Sequence, residues 1–198
     1  MIEYIYAETI TVPRAFAENG RLVVQAQALA QLGFITFIVD QRGTGHRGKA
    51  FQDVVDANLG EIPDHVATLK QLAEKRPYMD LSRVGIYGYS SGGHNTVRAL
   101  LLAPDVYHVG IAGASADMRL TLRLAGNLEG KLLLIVGTSD PRLRGIMRLV
   151  EALIRADKPY DLLIFPELPH SDWASLSLIS LRYMQEAIRR YFQEHLRQ

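Results

Sequence analysis

The sequence predicts an α/β protein, a mostly parallel sheet of about six strands with helices on both faces. Three observations predict it. Apolar, β-rich runs alternate with helix-length amphipathic stretches along the 198 residues, the pattern of strands joined by crossover helices. Most runs are continuously apolar, as strands covered on both faces are. No internal repeat, low-complexity tract or linker breaks the alternation, so residues 1–198 are expected to form a single domain.

The strands are predicted at Ile2–Tyr6, Phe34–Val39, Val84–Tyr89, Val109–Ala114, Leu132–Val136 and Leu162–Phe165. Helices are predicted between them. Arg21–Gln31 runs into the helix-ending Gly33. Pro63–Lys75 carries proline in its first turn, and Pro77 stops it. Ser91–Ala103 precedes Pro104, and Arg142–Ala156 follows the fifth strand. Asp172–Leu196 carries Trp173, Leu176, Ile179, Met184, Ile188 and Phe192, an apolar stripe expected to cover the sheet.

Composition narrows the function classes. A formal net charge of +1 provides no field to draw the chain to nucleic acid or to a membrane. No apolar run approaches the roughly 18 residues of a membrane span. No basic segment followed by an apolar core opens the sequence, so no secretory leader is expected. The sequence starts almost directly in strand-like residues, as a domain taken from a longer chain does. There are no cysteines, which removes disulfides, thiolate metal sites and cysteine nucleophiles and is compatible with either redox compartment.

Ligands of open α/β sheets bind beyond the carboxyl ends of the strands. After the third strand comes Gly88-Tyr89-Ser90-Ser91-Gly92-Gly93, then a helix. This is G-x-S-x-G between strand and helix, the nucleophile elbow of α/β-hydrolases. Ser90 must occupy a strained turn that lifts its hydroxyl above the sheet. Gly88 and Gly92 clear the crossing of strand and helix, and Gly93 adds room. The Ser91 N–H then faces a developing oxyanion from a helix N-terminus. Ser91 is the rival nucleophile, but the glycine spacing favours Ser90.

A serine needs a base, and the base an orienting carboxylate. In this fold the chain order is Ser, acid, His. Asp140 follows the fifth strand in Gly137-Thr138-Ser139-Asp140-Pro141, and His170 follows the sixth in Pro169-His170-Ser171. Asp140 also reads as a helix N-cap and His170 as a surface-loop histidine; Asp172 is expected to cap the last helix. Of the other histidines, His65 and His94 fall within helices, His46 in a glycine-rich loop, and His108 and His195 read as structural or exposed. No metal-ligand spacing is present, and no cofactor is expected.

The segment Gly43-Thr44-Gly45-His46-Arg47-Gly48-Lys49-Ala50 fits two phosphate-binding patterns. Ala50 lacks the hydroxyl that would reach magnesium, and Asp40-Gln41-Arg42 separate the glycines from their strand. Glu61 precedes a helix, not the end of a second strand as a dinucleotide site requires. The plainer expectation is a rigid loop in which Asp40 and Arg42 pair.

Taken together, Asp40-Gln41-Arg42-Gly43-Thr44-Gly45, Arg47-Gly48, Asn58-Leu59-Gly60, Asp80 to Gly93, Gly137-Thr138-Ser139-Asp140 and His170 give the chain its family resemblance. It resembles the catalytic domain of the prolyl oligopeptidase family, nearest the dipeptidyl-peptidase and acylaminoacyl-peptidase branches. The resemblance implies a serine peptidase or esterase with Ser90, Asp140 and His170 as its triad. It further implies Tyr6, at the end of the first strand, as an oxyanion donor beside the Ser91 N–H. Peptides or small esters are the substrates it implies.

The sequence departs from that pattern in four ways. Glu8-Thr9 stand where relatives carry a Gly-Pro-type loop, and Ser91 where many carry an aromatic pocket residue. Ser115–Gly130 is short and free of aromatic residues. No β-propeller of the kind many relatives carry is expected within these residues. A wide site of this kind favours small activated esters over peptides. A hydrolase-fold scaffold without activity is the alternative, and a nucleotide-binding protein using residues 43–49 a distant one. Apolar surface left by the short region is expected to offer a contact for a homodimer.

Overall fold

The computed structural model describes residues 1–6, 20–44, 48–52, 61–115, 121–170 and 177–196. Its strands are β1 (Ile2–Ile5), β2 (Thr36–Phe37), β3 (Gly85–Tyr89), β4 (Val109–Gly113), β5 (Lys131–Gly137) and β6 (Asp161–Phe165). Its helices are α1 (Gly20–Gln31), α2 (Lys49–Gln52), α3 (Glu61–Glu74), α4 (Ser91–Leu102), α5 (Leu143–Arg155) and α6 (Leu178–Leu196). The strands form one sheet in the order β2-β1-β3-β4-β5-β6. All five pairings are parallel, and the fold is that of an α/β-hydrolase.

Alternation along the strands explains their apolar runs. In β5, Leu132, Leu134 and Val136 point into the core beneath α3, α4 and α5. Leu133 and Ile135 point into the core beneath α1 and α6. Every second residue is therefore as buried as its neighbours, and no polar face develops.

The predicted elements recur with shifted ends. The second strand shortens to two half-buried residues at one edge of the sheet. The 115–130 segment carries a 3₁₀ turn, Thr121–Asn127. Residues 172–176, with Trp173 and Leu176, lie outside the described residues. The predicted stripe of the last helix is right for Met184, Ile188 and Phe192, all buried. It fails at Ile179, which is 82% exposed beside Leu178 in the first turn of α6. Tyr183, on the same helix, lies edge-on to Phe165 of the edge strand β6.

Turn chemistry places the strands. Before β3, the Ser82 N–H and hydroxyl donate to Asp80 Oδ1 and Arg83 Nε to Asp80 Oδ2. These bonds hold the Asp80 carboxyl down at about 2. β1 pairs with β2 on one side and β3 on the other. From β2 the chain crosses back past β1 to β3, so the direction of winding reverses beside β1, the place where ligands of such sheets bind.

Candidate active site

The chain reverses within one residue at the end of β3. Ser90 has φ 57° and ψ −116°, a left-handed conformation costing about 1–3 kcal/mol for a residue with a side chain. Its surroundings hold it there. The Ser90 N–H donates to the Gly113 carbonyl at 2.8 Å, and the His94 N–H donates to the Ser90 carbonyl at 3.0 Å. The glycines match the predicted need for space. A methyl at Gly88 would overlap the Gly92 carbonyl, one at Gly92 the Ile5 carbonyl, and one at Gly93 the Gly113 carbonyl. Ser91 opens α4, so its N–H lacks an intrahelical partner by position. Tyr6 follows β1 directly, and a methyl on Gly92 would come within 3.2 Å of the Tyr6 Cα. The backbone at Tyr6 thus runs close to the start of α4, beside the Ser91 N–H.

Asp140 and His170 arrive from β5 and β6. Asp140 is 3% exposed, and its Oδ1 accepts from the Arg142 N–H at 2.7 Å. Its carbonyl accepts the Leu143 N–H at 3.0 Å, so it starts the turn into α5 as well as facing His170. The His170 loop is tied to β5: the Thr138 N–H donates to the Phe165 carbonyl at 2.9 Å and the Glu167 N–H to Thr138 Oγ1 at 2.7 Å. Gly137 permits this approach, since a methyl there would overlap the Leu168 carbonyl.

The three side chains meet. Ser90 Oγ lies 3.0 Å from His170 Nε2. His170 Nδ1 lies 3.0 Å from Asp140 Oδ2 and 3.2 Å from Oδ1. A carboxylate only accepts, so in the neutral ring the proton sits on Nδ1. Nε2 is then left to accept from the Ser90 hydroxyl. Ser90 is thus the elbow serine facing the histidine.

The other histidines have different surroundings. His108 Nδ1 accepts the Val84 N–H at 3.3 Å, and His195 packs edge-on to Tyr191. His94 lies on α4, and His46 lies outside the described residues. Arg42 does not pair as expected: it forks onto Asp64 of α3. Burial pushes the Asp64 carboxyl up, but the bonds from Arg42 outweigh that and hold it below its ordinary value. Of the 43–49 segment, residues 45–47 lie outside the described residues, and Lys49 opens the helical turn α2. Among the described residues no three His, Asp or Glu side chains cluster as a metal site would require.

Two arrangements escaped the sequence reading. Glu3 (0% exposed) and His65 (1%) form a buried pair. The Tyr107 hydroxyl donates to Glu3 Oε2 at 2.7 Å, and Gln41 Oε1 faces the other ring nitrogen of His65. A glutamate inside the apolar run Ile2–Ile5 was the available signal. The second arrangement is Tyr89, whose ring stacks on that of His170. Its place beside the nucleophile carried no separate signal.

Comparison with known proteins locates this geometry. The sequence model described as the prolyl oligopeptidase family matches residues 21–123, a little over half the chain. The chain belongs to the prolyl oligopeptidase family. Ser90 lies within the matched residues, and Asp140 and His170 lie beyond them. Human dipeptidyl peptidase 8 is 34% identical over 205 residues, covering 85% of this chain and 23% of that protein. The aligned stretch is longer than the whole chain, so that relative carries inserted residues. A Bacteroides ovatus structure described as a dipeptidyl aminopeptidase IV superposes with TM-score 0.81 at 25% identity, covering 98% of this chain and 31% of the other. An acylaminoacyl peptidase of Pyrococcus horikoshii gives TM-score 0.74 at 21% identity over 81% and 32%, a likeness of fold. The chain spans about a quarter of the curated family relatives' length.

Proposed function

We propose that this chain is the catalytic domain of a serine peptidase or esterase that transfers acyl groups to water through Ser90. The observation that carries the reading is the chain of contacts from a strained Ser90 through His170 to a buried Asp140. Ser90 Oγ attacks a carbonyl carbon as His170 Nε2 takes its proton. Asp140 orients the imidazole and balances its charge. The Ser91 N–H and the Tyr6 phenol receive the oxyanion, and the tetrahedral adduct expels its leaving group after protonation by His170. Water, deprotonated by His170, then releases the acyl group. Membership of a family whose relatives include dipeptidyl peptidases supports peptides as substrates. The short, aromatic-free 115–130 segment favours small activated esters in this domain by itself.

The test is reaction with a fluorophosphonate, read by intact mass, on the parent and on Ser90→Ala. One adduct on the parent that vanishes in the variant is the expected result. A parent that stays unlabelled would replace the enzyme reading with that of a hydrolase-fold scaffold.

A further inference from the structure

We infer that Tyr89 is a positioning residue for His170, the platform that holds the imidazole in line with Ser90. This rests on the acyl-transfer reading above. The ring centroids of Tyr89 and His170 are 5.4 Å apart with 24° between their planes, a stacked arrangement. Tyr89 is a firm platform: it is the last residue of β3 and is buried in the apolar cluster that also holds Leu168, two residues before the histidine. The described neighbours of the imidazole thus divide the ring among them. Asp140 takes Nδ1, Ser90 takes Nε2, and Tyr89 covers a face.

The two edge contacts fix the ring's in-plane direction but leave it free to tip about the line joining them. A flat partner on one face removes that freedom. The face matters most when Ser90 Oγ gives its proton to Nε2, because the ring then carries a positive charge against the electron-rich face of the phenol. The interaction is stronger in the charged state than in the resting one, so it lowers the barrier and leaves substrate binding alone.

The experiment compares Tyr89→Phe, Tyr89→Leu and Tyr89→Met in the full chain, each checked for folding by circular dichroism. Hydrolysis of a p-nitrophenyl ester should stay within about twofold of the parent for Tyr89→Phe. It should fall about tenfold in kcat, at unchanged KM, for the two aliphatic variants. A second readout needs no turnover: the low-field proton NMR signal of the hydrogen shared by His170 Nδ1 and Asp140. It should persist in Tyr89→Phe and broaden in Tyr89→Leu and Tyr89→Met. Aliphatic variants that match Tyr89→Phe in kcat and keep the sharp signal overturn the inference, as does a loss expressed in KM. Failure of the acyl-transfer reading is separate: it leaves the parent unlabelled by fluorophosphonate, while the NMR comparison still decides the role of Tyr89.

Discussion

Single residues set the geometry of the site because they leave room for it. Gly137 is the clearest case. It sits at the end of β5, where the backbone before His170 crosses, and a methyl there would meet the Leu168 carbonyl. Backbone cannot rotate out of the way as a side chain can. Gly137→Ala should therefore destabilise the fold by about 1–3 kcal/mol and move His170 away from Ser90. Denaturant melts would read the first effect and the rate of fluorophosphonate labelling the second. Unchanged labelling would mean that the loop relaxes without moving the histidine. Ser90 illustrates the converse: its φ of 57° is tolerated because the bonds to Gly113 and His94 over-determine it.

Elements are locked together by a polar cluster as well as by apolar packing. Glu3 on β1, Gln41 after β2, His65 on α3 and Tyr107 before β4 join four segments in one buried network. Glu3 faces one ring nitrogen of His65 and the Gln41 amide the other, so the ring is held from both sides. A polar group in such a place is tolerable only with its partners. Glu3→Leu should cost about 3–5 kcal/mol by removing the buried partner shared by His65 and the Tyr107 hydroxyl, and adding His65→Leu should recover part of that loss. A double-mutant cycle on unfolding free energies measures the coupling. Simple additivity would mean that the two groups do not interact. The network also anchors Gln41, whose carbonyl accepts the Thr44 hydroxyl at 2.7 Å, so the turn leaving β2 is fixed from below.

At the scale of the molecule, stability should narrow at both ends of the pH range. Asp80 sits at about 2 when folded against an ordinary 3.8. A depressed carboxylate contributes stability above its unfolded value and loses it as pH falls from about 4 toward 2. Tyr107 moves the other way. Burial first, then the charge and hydrogen bond of Glu3, raise its phenol well above 10. That contribution is whole below about pH 10 and declines as pH rises beyond it, because the unfolded chain releases the proton first. Denaturant midpoints followed with pH should fall less steeply below pH 4 for Asp80→Asn than for the parent. They should also fall less steeply above pH 10 for Tyr107→Phe. Parallel curves would exclude these groups as the cause.

The sequence by itself determined the class of the fold and where along it the candidate residues fall. Period and punctuation are local: apolar runs mark strands, proline and glycine mark ends, and G-x-S-x-G between strand and helix marks Ser90. Asp140 and His170 were legible because each follows a strand, and a parallel sheet gathers its carboxyl ends at one edge. The tertiary structure alone decided the distances from Ser90 to His170 and from His170 to Asp140. It alone decided that Arg42 turns to Asp64, that Ile179 faces outward and that Tyr89 stacks on the His170 imidazole. The physical reason is range. A turn or a strand is set by neighbours a few residues away. Glu3 and His65 stand 62 residues apart, and a contact over that separation exists only once the sheet has closed.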